Sequence, residues 1–105
     1  MAAASRFFRH LGNVEGMLVT HINTTHMPFM TSERWEEVAR EVEMMERALD
    51  KLTACDPELP VDKVRRLLAR VKDSVNRKSF WHALLGVDEV RFYFELNYPR
   101  RLLEA

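Results

Sequence analysis

The chain has 105 residues, 47% of them apolar and 30% charged, which suits one soluble domain with one modest core. Its 16 bases balance 16 acids, a neutrality that argues against a dedicated nucleic-acid binder. A single cysteine, Cys55, excludes an intrachain disulfide, and no apolar run approaches the length of about 18 residues that a transmembrane helix requires.

The start, residues 1–12, is small, basic and acid-free: Arg6, Arg9 and His10 precede the first acid, Glu15. This composition resembles that of a mitochondrial transit peptide, here expected to stay uncleaved; an ordinary basic helix start, with a cytoplasmic location, is the alternative. From residue 5 to 26, Phe7, Leu11, Val14, Leu18 and Ile22 recur at steps of four, three, four and four, which predicts an N-terminal helix. Gly12 and Gly16 weaken that helix, and their GxxxG spacing carries little weight outside an apolar membrane span. "NTTHMPFM" then breaks the pattern at Pro28.

The clearest signal follows. Thr31 is placed to cap a helix, and Met30 to staple onto Trp35. Trp35, Val38, Val42, Met45, Leu49 and Leu52 form a heptad seam, predicting a helix over about 32–54. Pro57 and Pro60 end it, with Pro60 suited to the first turn of the next helix. Over 61–76, Val61, Val64, Leu68, Val71 and Val75 repeat the same steps. The short connection predicts an antiparallel helical hairpin. The first helix carries seven acids and four bases between Glu33 and Lys51, and the second seven bases and two acids between Val61 and Lys78. A register that sets Leu49 on Val64, Met45 on Leu68 and Val42 on Val71 brings Glu46 beside Arg65. Much of the "KVRRLLARVK" charge is then answered within the chain rather than by phosphate.

"NRKS" is expected to break the second helix, with Ser79 capping a short helix that Gly86 ends. Residues 87–97 are ambiguous. Val90, Phe92, Phe94 and Leu96 alternate with polar residues as a half-buried strand would, yet no partner strand is evident, so helix is favoured. The fold class is therefore all-α: a small single domain over 1–105, built on the heptad-type hairpin, with an N-terminal helix and an aromatic-rich C-terminal segment.

No catalytic constellation emerges. His10, His21, His26 and His82 lack metal-ligand spacing, Cys55 has no local histidine, and no glycine-rich phosphate loop exists. No enzyme activity, cofactor or metal is expected. Met27, Met30, Met44 and Met45 gather around Trp35 and are assigned mainly to core filling.

Six of the ten aromatics lie between Ser79 and Arg101. The hairpin closes its own seam without them. At least two of Trp81, Phe92, Tyr93, Phe94 and Tyr98 are therefore expected to stay exposed, and these five with Arg100 and Arg101 are the candidate protein interface. The expected function is that of a non-catalytic accessory subunit of a large assembly, a mitochondrial inner-membrane respiratory-chain or ATP synthase complex. Its partners would be other protein subunits, with no direct nucleic-acid contact. A free helical adaptor binding one partner is the alternative. A third reading is RNA binding, with Trp81 or Tyr93 stacking on bases and Arg65, Arg66 and Arg70 on phosphate.

Overall fold

The computed structural model describes residues 2–24 and 30–97. Among these are four α-helices and no strand: α1 (Ala2–Thr24), α2 (Ser32–Cys55), α3 (Asp62–Asn76) and α4 (Phe80–Asn97). The all-α expectation holds.

Each helix end has a local cause. Thr31 takes extended backbone angles (φ −66°, ψ 157°), and its Oγ1 accepts the Arg34 N–H at 3.1 Å, the expected cap of α2. At the other end the Asp56 N–H reaches the Leu52 carbonyl at 2.9 Å, and Pro57 follows. Val61, not Pro60, is the residue before α3, and it contributes no side-chain cap. α3 stops in a Schellman motif: the Ser79 N–H bonds the Ser74 carbonyl at 2.8 Å and the Lys78 N–H the Val75 carbonyl at 3.0 Å. The left-handed residue this motif needs is Lys78, at φ 56°.

Contacts along every seam run in opposite directions. His10 meets Glu41, Asp50 meets Arg65, Gly86 lies against Val71, and Phe7 lies against Phe94 while His21 lies against Phe80. The helices thus form an up-and-down bundle in which α1 touches α2, α2 touches α3, α3 touches α4 and α4 returns to α1. The molecule measures 43 × 22 × 20 Å.

The core is one cluster along the bundle axis. Phe7, Leu11, Val14 and Leu18 line it from α1, and the whole expected α2 seam from Trp35 to Leu52 is buried. α3 adds Val64, Leu68, Val71 and Val75, and α4 adds Ala83, Val87, Val90 and Phe94. Met30 and Met45 are buried, Met44 is exposed, and Met27 lies outside the described residues.

Four expectations need correction. Ile22 is exposed, since α1 has passed the end of its buried stripe. α2 packs most extensively on α1 rather than on α3, because the same seam that faces α3 also faces the bundle axis. Across the α2–α3 flank Arg65 binds Asp50 at 2.8 Å and Lys72 binds Glu46 at 3.1 Å, so the Glu46–Arg65 pairing does not occur. Finally, Gly86 does not end a helix: α4 runs through it to Asn97 without extended backbone. A Cβ at Gly86 would stand 2.8 Å from Val71 Cγ2, so glycine there lets α3 and α4 close up.

Candidate docking face

A helix of 3.6 residues per turn sets Ala83, Val87, Val90 and Phe94 on one face of α4, and all four are buried. On the opposite face the same rotation lines up Trp81, Leu85, Phe92 and Leu96, at steps of four, seven and four. Their exposures are 61, 59, 67 and 68%. A helix of a small bundle ordinarily shows water a polar face. α4 is apolar on both. The outward stripe extends about 22 Å along the helix, from the rise of 1.5 Å per residue.

Its ends and middle differ. Trp81 is steadied by the edge of Phe80, ring centroids 5.2 Å apart at 87°. Phe80 in turn lies against the ring of His21 on α1. Asp88 and Glu89 form an acidic waist between Leu85 and Phe92. Glu15 of α1 stands beside Asp88. Partial desolvation, then the Glu15 charge and a hydrogen bond to its carboxyl, push the Asp88 carboxyl above its ordinary value, against the opposing pull of Arg91. Arg91, the one lysine or arginine in α4, is occupied at the edge of the face, bonding Glu15 at 3.2 Å and Glu95 at 3.4 Å.

The expected interface residues divide. Trp81 and Phe92 are exposed, and Tyr93 is half-buried against the core. Phe94 is a correction: it has no exposure, and its ring stacks on Phe7 at 4.6 Å and meets the edge of Phe8 at 4.9 Å. The α1–α4 seam consumes it. Tyr98, Arg100 and Arg101 lie outside the described residues. Leu85 and Leu96 were missed, although their spacing to Trp81 and Phe92 was available in the sequence.

The histidines sit apart from one another. His10 holds Glu41, and His82 Nδ1 meets the Ser79 hydroxyl at 2.7 Å. Among the described residues no cluster of three or more His, Cys, Asp or Glu could hold a metal ion, and no helix is long and apolar enough to cross a membrane. Cys55 is exposed and carries a free thiol. Comparison with protein families, curated proteins and solved structures finds no match to the chain.

Proposed function

We propose that this chain is a non-catalytic accessory subunit of a larger assembly, and that it docks through the outward face of α4 onto a basic amphipathic helix of a neighbouring protein. The observation that carries this is the stripe of Trp81, Leu85, Phe92 and Leu96, diametrically opposite the buried face of the same helix. The core is complete without these four side chains, and large exposed apolar patches mark interaction sites.

Charge selects the occupant. The waist is acidic, and the one cation of the helix is engaged by Glu15 and Glu95. A second copy is disfavoured. The stripe is symmetric about its midpoint, so antiparallel self-pairing would set Asp88 and Glu89 against their own counterparts. A helix with apolar anchors and lysine or arginine at its centre satisfies both parts of the face.

The host class is a mitochondrial inner-membrane assembly, a respiratory-chain or ATP synthase complex. Its support is the acid-free basic start of Arg6, Arg9 and His10. Phe7 and Leu11 of that start are fully buried, so a targeting role must leave it attached. The free-adaptor reading uses the same face, and a core that closes within one chain favours it.

A photo-crosslinking amino acid at Phe92, with one at Arg66 on α3 as control, tests the docking. Adducts from Phe92 alone to a basic amphipathic helix, migrating in a high-mass native complex, are expected. The same adducts in a free small complex would select the adaptor. Adducts to a second copy, equal labelling from both positions, or none would overturn the assignment.

A further inference from the structure

α1 and α2 enclose a groove of about 580 Å³ whose walls are basic. Arg6 and Arg9 approach from α1, one turn apart, and Arg47 and Lys51 from α2, also one turn apart. The antiparallel crossing brings the two pairs to the same opening.

The acid among the lining residues, Asp50, is already engaged. Asp50 at the rim bonds Arg65 of α3 at 2.8 Å, and Glu41 holds His10 and accepts from Asn13 Nδ2 at 3.2 Å. Among the described residues none of the four cations has a carboxylate partner. Arg47 reaches only the Met44 sulfur, at 3.9 Å. Among the described residues Arg34, Arg65, Lys72, Arg77 and Arg91 form ion pairs, and Arg40, Lys63, Arg66, Arg70 and Lys78 do not; what sets the four groove cations apart is that they share one opening. In a chain of zero net charge, four unmatched cations at one opening form a local imbalance.

Like charges three or four residues apart on a helix repel, and both pairs here have that spacing. Bringing the two pairs together adds repulsion across the groove. An anion removes all of it at once. Three of the four cations are arginines, whose planar forks grip phosphate by two hydrogen bonds. Met44 and Ala48 supply an apolar floor. A volume of this size holds a small molecule rather than a polymer track.

We propose that the α1–α2 groove binds a small polyphosphate, a ligand with two or more phosphate groups on a compact body, held by Arg6, Arg9, Arg47 and Lys51. The ligand is either a free phosphorylated metabolite or the headgroup of a polyphosphorylated lipid. The same phosphate chemistry serves both. The site is remote from the outward face of α4, and neither assignment depends on the other.

Calorimetric titration with inositol hexakisphosphate and with pyrophosphate, and flotation with phosphatidylcholine vesicles doped with phosphatidylinositol bisphosphate or with phosphatidylserine at equal charge, test it. Saturable one-to-one binding is expected. The exposed pair R47Q/K51Q should weaken it about tenfold or more while leaving the helical circular dichroism intact, whereas K63Q on α3 should not. Binding to bisphosphate vesicles alone identifies the lipid source, and binding to the soluble probes identifies the free one. Absence of saturable binding, insensitivity to R47Q/K51Q, equal capture by both anionic vesicles, or tighter binding of a short RNA would each overturn the proposal.

Discussion

The ring of Phe94 stacks on the ring of Phe7, centroids 4.6 Å apart and 18° from parallel, and joins the last helix of the bundle to the first. Phe92, two residues earlier, faces water. Phe94→Ala should cost about 3 to 5 kcal/mol, the usual loss for a buried ring. Phe92→Ala should stay within about 0.5 kcal/mol. Chemical denaturation of the two variants measures the difference, and equal losses would mean that the faces of α4 are misassigned.

Gly86 and Gly16 should respond in opposite directions. Alanine at Gly16 meets nothing within 4 Å and should stabilise α1 by up to about 1 kcal/mol. Alanine at Gly86 drives its Cβ into Val71, a β-branched core side chain with little room to move. That substitution should destabilise by about 1 to 3 kcal/mol despite the better helix propensity. Thermal melts of both variants suffice.

Lys78 holds the left-handed position of the α3 Schellman motif, a conformation that costs a side-chain-bearing residue about 1 to 2 kcal/mol relative to glycine. Its backbone N–H is bonded and survives substitution. Lys78→Gly should therefore raise stability by about 1 kcal/mol. No gain in the denaturation midpoint would place the strain elsewhere.

Asp88 contributes a pH dependence of its own. Its carboxyl is raised by burial and by Glu15. A carboxyl raised on folding stabilises fully below its unfolded pKa of about 3.9, and that stabilisation is lost as pH rises through the folded value. Near neutrality the charged Asp88 therefore opposes the fold. Asp88→Asn should raise the melting temperature slightly at neutral pH, with the gain vanishing below about pH 4. Melting curves across that range decide it.

A double-mutant cycle reads the α2–α3 register. Asp50 and Arg65 are largely solvated, so their coupling should be about 0.2 to 1 kcal/mol. Glu46 and Arg65 should show none. The reverse result would put Glu46 beside Arg65 after all.

How far the sequence led depended on how many patterns each segment carried. α2 holds one apolar stripe and one cap, and both were legible. So was α3 from Val64 to Val75. α4 holds two stripes. Val90 and Phe94 belong to the buried one and Phe92 and Leu96 to the outward one, so their interleaving counterfeits the alternation of a strand. Gly86 looked like a stop because its role depends on Val71, a residue of another helix. The basic groove was invisible for the same reason. Arg6 and Arg9 looked like part of a targeting segment, and Arg47 and Lys51 like solvated charges, until the pairing of α1 with α2 brought them together.

The stack of Phe94 on Phe7 also bears on synthesis. Translation makes Phe7 of α1 before α2, α3 and the Phe94 of α4. α1 and α2 can pair while the chain is still growing, but the stripe on α1 that waits for α4 stays wet until α4 has emerged. A copy truncated before α4 would leave an uncovered aromatic on α1, the kind of surface that chaperones retain and proteases clear. Closing that seam therefore separates copies that carry α4 from those cut short before it.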